Sequence, residues 1–253
     1  MADVIALANQ KGGVGKTTTA INLGACLARR GQRVLLVDVD PQANATSGLG
    51  GAAEHGSLYD ALGGAARLDD LIVPSSEPGL ALVPSSPELA GAEVELVEAE
   101  RREFVLRELL QPLRPHWDFI LLDCPPSLGL LTVNALTAAD AVVIPVQCEY
   151  LALEGLGHLA ATLERVRHTL NGSLRLEGLV MTMFDPRTTL AQQVVAEVRG
   201  HFAQTFRTVV PRSVRLSEAP SHGLSIVAYA PHSAGAAAYT GLADELLARR
   251  VAS

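Results

Sequence analysis

Of the twenty basic side chains in this 253-residue sequence only two are lysines, Lys11 and Lys16. Both fall in one glycine-rich stretch, Asn9-Gln10-Lys11-Gly12-Gly13-Val14-Gly15-Lys16-Thr17-Thr18. An apolar run, Val4 to Ala8, leads into the stretch, and a helical pattern from Thr19 to Arg30 follows it. In a strand, glycine loop and helix of this kind, backbone N–H groups converge on phosphate oxygens and the helix N-terminus adds its positive dipole end. Lys16 supplies a point charge there, and the Thr17 hydroxyl can ligate Mg²⁺. The usual spacing, G-x-x-x-x-G-K-[ST], is not met literally: the position five before Gly15 is Gln10, and the glycines stand at Gly12, Gly13 and Gly15. A purely structural turn leaves unexplained why the only two lysines flank those glycines.

Three carboxylates complete the pattern of a nucleotide site. Val37-Asp38-Val39-Asp40 closes a second apolar run, and strand alternation predicts Asp38 and Asp40 on one side of its C-terminal end, the edge where open α/β sheets bind ligands. A third run, Phe119 to Leu122, ends in Asp123, which can hold Mg²⁺ through its water shell. A carboxylate near the terminal phosphate can orient or activate the attacking water. Asp118 reads as the solvent-facing start of that strand.

These groups need a rigid frame, and the sequence supplies one. Runs at Val4–Ala8, Arg33–Val37, Phe119–Leu122, Ala141–Val146, Leu176–Met181 and Thr208–Val210 are apolar at nearly every position, as strands covered on both faces are, and the segments between are long enough for helical crossovers. The expected fold is α/β, a doubly wound, mostly parallel sheet with helices on both faces, forming a single domain over residues 1–253. Gly48 to Pro87 reads as surface connection with short helical pieces such as Ser57 to Leu62. Ala236 to Arg250 reads as a covering helix, with Tyr239, Leu242, Leu246 and Leu247 on one face. Hydrophobic content of 48% against 19% charge excludes a disordered chain, and no apolar run approaches the roughly 20 residues of a membrane span. No secretory signal is apparent, so the cytoplasm is the expected compartment. Cys26, Cys124 and Cys148 form no C-x-x-C pair and read as buried packing residues.

Lys11-Gly12-Gly13-Val14-Gly15-Lys16-Thr17-Thr18 resembles the deviant Walker motif of the ParA/MinD ATPases, P-loop NTPases. Four further blocks are similar to the chromosomal ParA proteins of the Soj group: Asp38 to Thr46, Leu122 to Leu128, Pro145 to Gly155 and Pro211 to Ser221. The resemblance implies ATP and Mg²⁺ as cofactors. Lys16 would contact its own nucleotide, and Lys11 would reach across an ATP-bound homodimer to the partner's phosphates, much as an arginine finger does. Thr17 would ligate Mg²⁺, Asp123 would hold it through water, Asp38 would support the metal and the switch region, and Asp40 would position or activate water. Gly12, Gly13, Val14, Gly15 and Thr18 would complete the phosphate loop, with Met183 and Pro211 at the adenine. Non-specific double-stranded DNA, a ParB-type partner and a nucleoid location are further implications, in the service of chromosome or plasmid segregation.

The charge distribution bears on the DNA expectation. Net charge is −7, yet Pro186 to Leu216 carries Arg187, Arg199, Arg207, Arg212 and Arg215 against Glu197 alone, a local +4. Arg187, Arg199, Arg212 and Arg215 are the candidate phosphate contacts; the alternative is a solvated surface whose charges are balanced in space. A MinD-like membrane ATPase is the main rival, but Glu245 to Ser253 offers two arginines and few apolar anchors for lipid, so no membrane partner is expected. A metal-cluster reductase would need suitably placed cysteines, and an amidoligase or kinase remains open on the phosphate motif alone.

Overall fold

The structure, a computed structural model, describes residues 1–149 and 152–251. Tyr150 and Leu151, inside one of the blocks that carry the resemblance, lie outside the described residues, as do Ala252 and Ser253. One sheet organises the chain. Its strands are β1 (Asp3–Leu7), β2 (Val34–Asp38), β3 (Val73–Pro74), β4 (Leu80–Val83), β5 (Phe119–Asp123), β6 (Ala141–Gln147), β7 (Arg175–Phe184) and β8 (Val209–Pro211), in the spatial order β3-β4-β2-β5-β1-β6-β7-β8. Every neighbouring pair is parallel except β3 with β4.

Alternation divides each strand between two cores. Val4, Ala6 and Ala8 pack with Leu58, Leu106, Leu131, Leu159 and Val194 on one face of the sheet. Ile5 and Leu7 pack on the other with Ile21, Leu27, Leu216, Tyr239 and Leu242. The second face is covered by the helix that follows the glycine loop, α1 (Lys16–Arg29), and by the C-terminal helix Ala234–Val251. Those two helices are tied by a buried contact between the Thr19 and Tyr239 hydroxyls at 3.2 Å. From β1 the chain passes out to β2, β3 and β4, returns to insert β5 between β1 and β2, and then winds the other way through β6 to β8; that reversal opens a crevice at the strands' C-terminal ends.

Six strands and the two long helices match the expected pattern. The segment from Gly48 to Pro87 does not: it contributes β3 and β4, and β4 lies beside β2 with Leu80, Leu82 and Val83 buried. Four apolar residues between Gly79 and Pro84 are too short a run for periodicity to separate from loop. The capped turn at Ser57, whose hydroxyl accepts from Tyr59 N–H while Asp60 accepts from Ser57 N–H, starts the expected short helix Leu58–Leu62. All three cysteines are free and buried.

Candidate nucleotide site

The glycine loop leaves β1 and turns into α1 through two left-handed residues, Gly13 at φ +73° and Gly15 at φ +92°. Gly15 occupies the helix N-cap and has no side chain to cap it, and no acidic residue stands in the first turn. The N–H groups that serine or aspartate would ordinarily satisfy are left for an anion, so this start sacrifices local helix stability for binding. The threonines at positions 17–19 are also poor helix formers. From outside the loop, Asn9 pins the entry, donating through Nδ2 to Pro145 O at 2.7 Å and accepting from Lys11 N–H at 3.0 Å.

The two lysines have different surroundings. Lys16 is 6% exposed and folds back over the loop, donating to Lys11 O at 3.2 Å. Burial lowers its pKa, and nearby Asp123 and Asp40 act in the opposite direction. Lys11 points out of the loop and pairs at 3.0 Å with Glu149, both side chains nearly half exposed.

Opposite the loop, Asp38 and Asp123 are register partners on adjacent strands, both completely buried. Asp38 is well bonded: Oδ2 accepts from Thr46 N–H at 2.8 Å and from the Thr46 hydroxyl at 2.7 Å, and Oδ1 accepts from Asp40 N–H at 3.2 Å. Burial nevertheless pushes its pKa up to about 6. Asp123 is likewise raised well above the ordinary carboxylate range, first by burial and then by the charge of Asp38. The Thr17 hydroxyl is near enough to favour its ionised form but out of hydrogen-bond geometry, so neither Asp123 oxygen has a partner. A buried bare carboxylate beside a second one, facing a threonine hydroxyl, is a donor set for a hard divalent cation. Among the described residues no three acidic, histidine or cysteine side chains close a metal cage. Two buried carboxylates and a hydroxyl suit Mg²⁺, which keeps most of its waters.

Asp40 lies beyond the end of β2, so strand alternation does not place it. A hydrogen-bonded ring does. The ring runs from Asp38 to Thr46, from the Thr46 hydroxyl to Ser85 N–H at 2.9 Å, from the Ser85 hydroxyl to Asp40 O at 2.7 Å, and from Asp40 N–H back to Asp38. Ser85, two residues beyond β4, and Thr46 are residues that motif reading did not assign. Ser85 in particular has no pattern around it that marks it in sequence.

Gly12, Gly13, Gly15, Lys16, Thr17, Thr18 and Asp40 line one cavity. Val14, 1% exposed, faces away from it into the protein. Met183 stands between this cavity and an adjoining one bounded by Gly15, Thr18, Pro211, Arg212 and Tyr239, so Met183 and Pro211 do come together beside the loop. Met183 has φ +52°, a strained conformation for a residue other than glycine.

Of the four arginines read as phosphate contacts, Arg212 lines this second cavity. Arg187 pairs with Asp185 at 2.7 Å, and its guanidinium, with Arg212 adding charge, holds the Asp185 carboxyl down at about 2. Arg215 pairs with Glu218 at 3.1 Å, and Arg199 donates to Arg207 O at 2.8 Å. All four are exposed, but three are already engaged by their own chain.

A family model described as "AAA domain" matches residues 2–176. The sporulation initiation inhibitor protein Soj of Bacillus subtilis is 54% identical over 251 residues, 98% of this chain and 99% of the relative. The chromosome-partitioning ATPase Soj of Thermus thermophilus is 58% identical over 246 residues, 97% and 95% of the two chains. Among solved structures, one described as cobyrinic acid a,c-diamide synthase from Mycobacterium smegmatis, with a bound ATP analogue and magnesium, superposes with a TM-score of 0.85 at 38% identity. It covers 99% of this chain and 96% of the other. With the loop, the paired carboxylates and this near full-length likeness together, the chain belongs to the Soj/ParA family of chromosome-partitioning ATPases.

Proposed function

We propose that this chain binds ATP with Mg²⁺, dimerises in the ATP state, associates in that state with non-specific double-stranded DNA, and is released when a ParB-type partner stimulates hydrolysis. The observation that carries the reading is the division between the two loop lysines. Lys16 is buried over its own loop, whereas Lys11 extends outward to an exposed carboxylate of its own chain. In this reading Lys16 contacts the bound nucleotide of its own subunit, and Lys11 exchanges its exposed Glu149 partner for the phosphates of a second subunit. A lysine supplied in trans would make ATP binding and dimerisation linked equilibria.

Lys16 and the open N–H groups of the loop hold the β- and γ-phosphates, and Thr17, Asp38 and Asp123 hold the Mg²⁺. Held there, Mg²⁺ would offset the charge that develops on the transferring phosphate. Asp40, fixed by its ring, positions or activates the attacking water. Met183 and Pro211 flank the adenine. Arg187, Arg199, Arg212 and Arg215 supply the DNA-facing charge. Identity of 54–58% to the Soj relatives, against 38% to the neighbour described as a diamide synthase, supports partition over small-molecule amidation. No helix among the described residues is long and apolar enough to cross a membrane. A nucleoid location in the cytoplasm follows from the proposed DNA binding.

The test is DNA binding measured with ATP, with ADP and without nucleotide, alongside liposome sedimentation. ATP-dependent DNA binding is expected; ATP-dependent lipid binding without DNA binding would overturn the proposal.

A further inference from the structure

We propose that Thr182, a buried residue of β7, is a positioning residue that locks one peptide of the phosphate loop in its binding orientation. Its hydroxyl donates to Val14 O at 2.8 Å, and it is 2% exposed. In a trans peptide the carbonyl and the N–H point in opposite directions. Holding Val14 O against Thr182 therefore turns the Gly15 N–H the other way, toward the open side of the loop, where no protein acceptor takes it among the described residues.

That peptide is the weak point of the loop. Gly15 stands at φ +92° and has no Cβ, so rotation of the Val14–Gly15 peptide meets little steric resistance from the residue itself. A flipped peptide would present a carbonyl oxygen to phosphate in place of a donor. Thr182 opposes the flip in two ways. Its hydroxyl holds the carbonyl, and its methyl lies 3.8 Å from the position a Gly15 Cβ would take, closing the space behind the turn.

Thr182 is itself well anchored. It pairs in register with Gln147 of β6, and its own carbonyl accepts from Cys148 N–H at 3.1 Å. The next residue, Met183, turns through φ +52° into the wall of both cavities. One rigid strand end thus sets the loop's donor geometry and the neighbouring pocket wall together. The inference rests on the phosphate-site reading, so Lys16→Ala is included as a check on that reading.

The experiment compares Thr182→Val, Thr182→Ser and Thr182→Cys in the full chain. It measures affinity for fluorescent ATP and ADP, steady-state hydrolysis, and thermal unfolding without nucleotide. Valine keeps the shape and removes the donor, so Kd for both nucleotides should rise about five- to tenfold. KM should rise by a similar factor, with kcat within about twofold. Serine should restore affinity to within about twofold, and cysteine, a weak donor, should fall between. Wild-type affinity in the valine variant, or serine no better than valine, would overturn the assignment even if Lys16→Ala abolishes binding. Undiminished binding by Lys16→Ala would remove the phosphate-site reading and this inference with it. If valine prevents folding, the ranking of serine above cysteine in affinity decides, and equal affinities refute the lock.

Discussion

Ser85→Ala tests the idea that the ring of hydrogen bonds around Asp40 is part of the hydrolytic machinery. Ser85 is 2% exposed, and its hydroxyl donates to Asp40 O at 2.7 Å, while its N–H donates separately to Thr46. Alanine deletes the first bond and spares the second. The Asp40 carbonyl keeps a second donor, Ala43 N–H at 2.9 Å, so it is not stranded, and the loss belongs near the low end for a buried hydrogen bond, about 1 kcal/mol. For a chain of this length that is a fall in Tm of about 2–4 °C. The effect on chemistry should be larger than that suggests. The backbone of Asp40 would retain the Asp38 bond but lose the tether toward β4, and catalytic geometry tolerates only about 0.5 Å of slack. Single-turnover hydrolysis by the partner-stimulated dimer should slow by about three- to tenfold, with nucleotide affinity unchanged within about twofold. Ser85→Thr, which keeps the hydroxyl, should recover most of the rate. A variant that loses the expected stability yet hydrolyses at the wild-type rate would show the ring to be only scaffolding. A parallel loss of nucleotide affinity would show that the damage had spread to the phosphate loop.

Four further outcomes follow from the same geometry. Asp40→Ala should keep the ATP-dependent dimer, seen by light scattering, while lowering turnover by at least about a hundredfold, on the scale of a lost general base. Lys11→Ala should bind ATP as a monomer with near wild-type affinity and fail to dimerise; a persisting ATP dimer would refute the trans role. Replacing Arg187, Arg212 and Arg215 together by alanine should weaken DNA binding and flatten the dependence of log K on log salt by about 0.9 for each DNA phosphate no longer neutralised; an unchanged slope would make them ordinary surface. Asp118, paired with Arg33 at 2.9 Å, has its carboxyl held down to about 2. Its contribution to stability is present above about pH 4, where the unfolded group is ionised, and is lost as pH falls through 2. Asp118→Asn should flatten that acid limb in denaturant titrations, modestly because the pair is solvent-exposed.

What could be read before the structure, and what could not, divides along physical lines. Lys16, Thr17 and Asp123 sit where strand meets turn and turn meets helix, so local chain geometry alone brings them to one edge of the sheet. Asp38 was legible for the same reason. Asp40 lines the loop's cavity, but a ring of hydrogen bonds places it there rather than alternation. Ser85 and Thr182 were illegible because their roles depend on contacts 45 and 168 residues distant in sequence, and a lone hydroxyl carries no periodic signal. β4 escaped for a different reason: a four-residue strand next to a proline and a glycine looks like a loop until its neighbour is known. The arginine segment was legible as composition only, because ion pairs with Asp185 and Glu218 are invisible to a charge count.

The sheet's two edges have a consequence for how copies of this protein can meet. One outer strand, β3, is two residues long and ends in Pro74, and the other, β8, is three residues long and ends in Pro211. A proline lacks the N–H that an incoming strand would need, and so few residues give that strand little to align with. Neither margin can template the growth of a continuous sheet from chain to chain, an association that would be hard to undo. Contact between copies must then use other surfaces, and in the proposed ATP dimer it uses the loops at the strands' C-terminal ends. Short, proline-ended margins thus leave self-association to side-chain surfaces, which can part again more readily than a shared sheet.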